Sequence, residues 1–489
     1  MRALLALLLA GLTLAGCVSP AADVDPASDG GLLPEGFAPP VAMTQPTGGA
    51  EPNVAVAPDG TLWITAVAGS QERPNHEQGA AWLWRSTDDG ATWETLRAPQ
   101  RDTPLGSVPG TRRPFGSSDA DVVASADGWI YYSDWWNWGS PVCPPVGGGL
   151  VPLPASPCSR YGSYLVERSS DGGNTWESAS VTTLDSVGGM DRQWLVAGPD
   201  GFVGLFYAYF HGPNPARAQG AADDLEGRSS IQAVYSRDHG ATWTEPATVV
   251  ETAPGESAFN QIGHPRVSPD GTLWMPHAWT KITDDYWHDP SEVRVAVSSD
   301  MGATWEVRKV ADVPEGFDNL WAVQGDVDAR GVMHVAWGAR TGENMTVFHA
   351  MSADDGATWS EPIALSAGGL HFLPWVAATG DGDVAVAFYG SNATGVPDEA
   401  PEETEWFAWV ARRQGDNGTF VLEKAQADPV KVGPMCPRGG DCQPALRDLL
   451  DYPSVAFGPD GALHVAYAVS RQVNGVNAGL VTYTRTLAG

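Results

Sequence analysis

Ser86-Thr87-Asp88-Asp89-Gly90-Ala91-Thr92-Trp93 is an octapeptide that this chain repeats. The pattern S-x-D-x-G-x-T-W returns at 169–176, 236–243, 298–305 and 352–359. Its residue types suit a turn between two strands. Ser and Asp side chains bond to nearby backbone groups and close a loop. Glycine supplies the positive φ that such turns need. Trp opens the next strand with a large apolar face.

A second pattern alternates with the first: a strand of small apolar residues, an Asp-Gly turn and a further apolar strand. It begins as Pro52-Asn53-Val54-Ala55-Val56-Ala57-Pro58-Asp59-Gly60. Asp-Gly between apolar runs signals a hairpin. Further copies turn at Asp127-Gly128, Asp200-Gly201, Asp270-Gly271, Asp328 to Gly331, Asp381-Gly382 and Asp460-Gly461. Five of these hairpins are followed by the octapeptide, and Asp416-Asn417-Gly418-Thr419-Phe420 is a decayed sixth. After the last hairpin only one strand remains, near 480–486. Residues 40–44 can supply its partner, closing a ring and removing exposed sheet edges. The expected fold is therefore all-β: a seven-bladed β-propeller of four-stranded antiparallel blades over residues 39–489, with six blades as the competing count.

The octapeptide is similar to the Asp-box, or BNR repeat, and the chain resembles a divergent member of the sialidase/neuraminidase superfamily. True sialidases have six blades, and their boxes lie away from the active site. The resemblance implies a glycan-processing enzyme, a sialidase-like glycoside hydrolase acting on an acidic sugar. In that family three arginines hold the sugar carboxylate, since guanidinium matches carboxylate in bidentate pairs. A tyrosine assisted by a glutamate is the nucleophile there, and an aspartate is the acid/base. This chain departs from the pattern: its first blade starts Ala50-Glu51-Pro52-Asn53, without an arginine.

Composition agrees with a turn-rich globular chain, with 57 Gly, 39 Pro and 21 Trp in 489 residues. Acidic residues outnumber basic ones 59 to 28, a net charge of −31. That balance excludes a general nucleic-acid binder.

Loops leading into the inner strands surround the axis of a propeller, so chemistry is sought there. They carry Glu51 and Asn53, Asp119 and Asp121, Asp191 with Arg192 and Gln193, His264 and Arg266, Asp318 and Asn319, His371 and Trp375, and Asp451 and Tyr452. The catalytic candidates are Asp119, Asp121 or Asp191 as acid/base and Tyr452 with a nearby acid as nucleophile. Arg192 and Arg266 are the candidate carboxylate binders, with His264, His371 and Trp375 as further substrate contacts. Three alternatives stay open. His264, Arg266, His371 and Tyr452 could serve a polysaccharide lyase, the propeller could bind a glycan or a protein without catalysis, or these groups could simply bind water and one another. No metal site and no cofactor is expected. Asp284, Asp285, His288 and Asp289 form a loop that could hold calcium, although a solvated acidic loop is the simpler reading. A monomer is expected.

The N-terminus reads Arg2 and then an apolar run from Ala3 to Leu14, too short to span a bilayer. Leu14-Ala15-Gly16-Cys17 resembles the lipobox of bacterial lipoproteins. That resemblance implies a signal peptide over 1–16, lipidation of Cys17 and a tether over 17–38. The protein would then be a lipoprotein anchored on the extracytoplasmic side of a prokaryotic cell, touching the membrane only through its lipid. Four cysteines remain, and local pairing as Cys143–Cys158 and Cys436–Cys442 is the simplest of three arrangements.

Overall fold

The computed structural model describes residues 36–44, 48–68, 81–97, 119–138, 161–183, 189–210, 229–253, 256–258, 262–281, 290–313, 323–380, 382–416, 418–437, 446, 448–449, 451–473 and 476–487. All lie in the compact unit Leu33–Gly489. The leader and Cys17 lie outside the described residues, as do Cys143, Cys158, Cys442, Asp318, Asn319 and the loop 282–289. Cys436 is buried and disulfide-bonded. Among the described residues no helix is long and apolar enough to cross a membrane.

The described chain is built almost wholly of strands, with the short 3-10 turn Pro397–Glu399 between two of them. Gly49–Val56, Leu62–Ala68, Trp82–Ser86 and Glu94–Arg97 pair in sequence as an antiparallel sheet. The same meander runs from Ala120–Ala124 to Glu177–Thr183 and from Gly189–Ala197 to Ala247–Val250. It repeats from Arg266–Val267 to Glu306–Asp312, from Val323–Val327 to Ile363–Ala364, and from Leu370–Ala378 to Val421–Lys424. Ser454–Phe457, Leu463–Val473 and Val476–Arg485 then form three strands, and the fourth comes from the other end of the chain. Val41 pairs with Tyr483 and Ala42 with Thr482. Hydrogen bonds from Ala38 N to Arg485 O (2.8 Å) and from Met43 N to Val481 O (2.9 Å) extend this closure.

First strands touch one another in chain order, and Ser454–Phe457 touches Gly49–Val56, so the contacts run round a closed circle. That arrangement is a β-propeller. Apolar side chains fill the spaces between neighbouring sheets. Val54, Ile64 and Trp84, for example, cluster with Val481 and Tyr483 from the closing sheet.

Each octapeptide folds as its composition demands. The Ser hydroxyl donates to the Asp carboxylate at 2.8 Å in all five copies. The backbone N–H of Gly donates back to that hydroxyl, and Thr donates to the Asp through both its N–H and its hydroxyl. These donors hold the carboxyls of Asp171, Asp238, Asp300 and Asp354 down at about 2, the Thr contacts contributing most. Glycine has a second task here. A Cβ on Gly90 would overlap the Tyr483 ring, and one on Gly173 would overlap Trp63, each belonging to the preceding sheet. The box thus docks each of the five sheets that carry it on the preceding one.

Candidate functional site

Three of the first strands share one irregularity where they meet the axis. Pairing slips between Ala50 and Asn53, between Asp191 and Trp194, and between Phe372 and Trp375. The residue within each slip is left-handed: Glu51 (φ 52°), Arg192 (φ 53°) and Leu373 (φ 61°). Non-glycine residues seldom adopt this conformation, and a bulge re-aims the side chains around it. Regular pairing resumes at Asn53, Trp194 and Trp375.

Those bulges place a buried polar network across the axis. The Arg192 guanidinium pairs with Asp451 and lies 3.6 Å from Glu51, tying the third sheet to the last and the first. Arg192 N donates to Asp119 at 2.9 Å. Burial acts to lower the pKa of Arg192, but the carboxylates of Asp451, Glu51 and Asp119 outweigh it and raise that pKa well above the ordinary value. Asp121, fully buried, accepts from Asn53 Nδ2, Val122 N (2.8 Å), Leu195 N (2.6 Å) and His264 Nε2 (3.0 Å). Arg266 donates to Asp326 (2.6 Å) and to His264 Nδ1. His264 thus bridges the two groups, its Nε2 facing Asp121 and its Nδ1 facing Arg266 and the Pro265 carbonyl oxygen (3.1 Å).

Tyr452 sits inside this network and is 3% exposed. Its ring centroid lies 5.6 Å from Trp194 and 5.1 Å from Trp375, and Arg192 approaches its face at 5.8 Å. The hydroxyl is buried and has no hydrogen-bond partner among the described residues. Burial, with the carboxylates of Glu51, Asp119 and Asp121, pushes its pKa well above the ordinary phenol value against the opposing pull of Arg192. The group is therefore a neutral hydroxyl at physiological pH, suited to donating a hydrogen bond rather than to acting as a phenolate. Gln193, also fully buried, donates to Asp119 O and leaves its Oε1 unpaired.

Asp119, Asp121, Arg192, His264, Trp375 and Tyr452 thus come together. Arg266 lies beside them, about a fifth exposed. His371 does not join them: its ring packs on Phe388 and Trp409 at 5.8 and 6.2 Å, and burial lowers its pKa to about 4. Asp191 pairs through its backbone with Ala208, while its side chain lies outside the described residues. The carboxylate-binding role expected of Arg192 and Arg266 meets a physical obstacle, because both guanidiniums are already paired with acids of the chain itself. Glu51 and Asp451, named among the inner-strand entries without a role, prove to be the partners of Arg192. Gln324 and Asp326 were missed: Gln324 Oε1 accepts from His264 N (2.8 Å) and Asp326 holds Arg266. The signal was Gln324-Gly325-Asp326 standing where the preceding repeat has His264-Pro265-Arg266. Among the described residues no group of three or more His, Cys, Asp or Glu is arranged to hold a metal.

Residues 166–371 match the model of the BNR repeat-like domain. No curated protein matches the chain. Among solved structures it is similar to a protein of unknown function from Dyadobacter fermentans, at 16% identity, 80% of this chain, 97% of the other and a TM-score of 0.44. It is also similar to a Hadza microbial sialidase (15%, 87% and 76%, TM-score 0.45). A third similarity is to an α-L-arabinanase of Penicillium chrysogenum complexed with arabinobiose (16%, 82% and 99%, TM-score 0.44). The matched segment and the five folded boxes make this a β-propeller carrying BNR-type repeats.

Proposed function

We propose that this chain is a glycan-processing propeller of the glycoside hydrolase class, with the axial cluster as its site. The observation that carries the reading is the Tyr452 hydroxyl, buried, unpartnered and surrounded by ionisable groups. Buried polar groups are nearly always hydrogen-bonded, and exceptions concentrate at functional sites. In this reading Tyr452 donates to the sugar, and Trp194 and Trp375 form an aromatic wall. Asp119 is the acid/base, because Arg192 N engages only one of its carboxylate oxygens. Asp191 is the second candidate for that role. Asp121, His264 and Arg266 act as positioning residues. A screen of purified protein against oligosaccharides tests this. Asp119→Asn is expected to lower turnover at least 100-fold, the scale of general acid–base catalysis, with an unchanged melting temperature. Turnover that survives the change removes Asp119 from the chemistry.

A non-catalytic glycan- or protein-binding propeller is the second reading. It is favoured by the internal pairing of Arg192 and Arg266, which leaves both guanidiniums occupied. Binding across the panel without turnover selects it. The lyase reading needs His371 beside His264, Arg266 and Tyr452, and loses support from the position of that ring.

The blade count we propose is seven, supported by the seven hairpins and by the circle of first-strand contacts. Export as a lipoprotein, with a signal peptide over 1–16, lipidated Cys17 and a tether over 17–38, rests on the lipobox. A monomer held outside a prokaryotic cell, stapled by Cys143–Cys158 and Cys436–Cys442, completes the proposal.

A further inference from the structure

Charge at the axis does not suit an acidic sugar. Among the described residues of the network, five carboxylates (Glu51, Asp119, Asp121, Asp326 and Asp451) face two guanidiniums (Arg192 and Arg266). Counting the His264 imidazole, whose Nε2 faces Asp121, as a further cation would still leave the carboxylates in excess, five to three. We infer that the site takes an uncharged sugar unit rather than a carboxylate-bearing one, an inference that rests on the glycan reading above.

Arg192 cannot receive a substrate carboxylate without giving up Asp451, which is 0% exposed, so a buried carboxylate would lose its guanidinium partner. Arg266 would have to give up Asp326 and its contact with His264. Both exchanges replace an internal carboxylate by an external one and gain nothing in charge. The groups left without partners have a different character. Tyr452 offers a hydroxyl, Gln193 offers Oε1, and Asp119 offers its second oxygen. Two of these three only accept, and so does a carboxylate, which would therefore meet acceptors and net negative charge. Sugar hydroxyls both donate and accept, so two of them together can satisfy all three. The Trp194, Trp375 and Tyr452 rings provide the apolar surface for the C–H faces of such a ring.

Matched pairs of ligands test this on the full chain by calorimetric titration: lactose against sialyllactose, and galacto-oligosaccharide against oligogalacturonate. The uncharged member of at least one pair is expected to bind at least tenfold more tightly than its acidic partner. The gap is expected to narrow in about 0.5 M salt, where charges are screened within a few ångströms, and in Asp119→Asn, which removes one negative charge. Tighter binding of the acidic member overturns the charge argument while leaving the glycan reading intact. Binding of neither member of any pair overturns the glycan reading, and this inference falls with it.

Discussion

Asp119 and Asp121 stand two residues apart on one strand edge, yet their surroundings assign them different work. Asp121 accepts four hydrogen bonds from four partners and joins the first, second, third and fourth sheets at a point. A side chain so engaged is a structural acceptor, and removing it would strand several donors. Asp119 is bound through one oxygen only, which is why Asp119→Asn is expected to spare the fold and not the chemistry. The chain order placed both acids near the axis but could not separate them, because the donors to Asp121 come from Asn53, Leu195 and His264, far off in sequence. Arg192 was legible as an axial cation for the same reason, and its occupation by Asp451 and Glu51 was not. Pairing between residues 259 positions apart is a property of ring closure, not of any local pattern.

Strands and turns tell the opposite story, since each box is complete within eight residues. What the octapeptide did not disclose is the aromatic ring against its glycine. Gly90 (φ 81°) abuts Tyr483, whereas Gly60 (φ 86°) has nothing within 4 Å of where a Cβ would stand. Ala at either site pays the left-handed strain of about 1–2 kcal/mol. Only Gly90→Ala adds overpacking, typically 1–3 kcal/mol more. Chemical denaturation should therefore show Gly90→Ala to be the less stable variant by about 1–3 kcal/mol. Equal losses would mean that the box does not dock the sheets. The hairpins were legible because Asp-Gly turns and alternating apolar runs are local signals. In the fifth sheet the first strand begins at Val323, so the axial residues are Gln324 and Asp326. There the pattern was too short to fix which residues precede the strand.

On the scale of the whole ring, closure by residues 41–42 against 482–483 was readable from an unpaired strand at each end of the chain. The response of the fold to acid is a further whole-molecule property. Burial lowers His277, His371 and His464 to about 4, and lowers His349 well below its ordinary value. The unfolded chain takes up these protons near pH 6.5 and the folded one does not. Their stabilising contribution is thus complete above pH 6.5 and is lost as the pH falls towards 4. A shift of this size corresponds to on the order of 3 kcal/mol for each of the three. The box aspartates, held at about 2, lose their contribution only in a lower window, from about 4 to 2. Melting temperature should accordingly fall steeply between pH 6.5 and 4, and a flat profile across that range would contradict the burial of these rings.

The central claim is that the axial network is a binding site and not only a lock holding the sheets together, and Tyr452→Phe separates the two most directly. The change removes a hydroxyl that has no hydrogen-bond partner among the described residues and leaves the ring packing against Trp194 and Trp375 in place. The measurement is the unfolding free energy of this variant beside its affinity for the tightest-binding glycan of the panel. The account predicts stability equal to or above that of the parent and glycan binding at least tenfold weaker. Lower stability with unchanged glycan binding would contradict it, and would make the hydroxyl part of the scaffold.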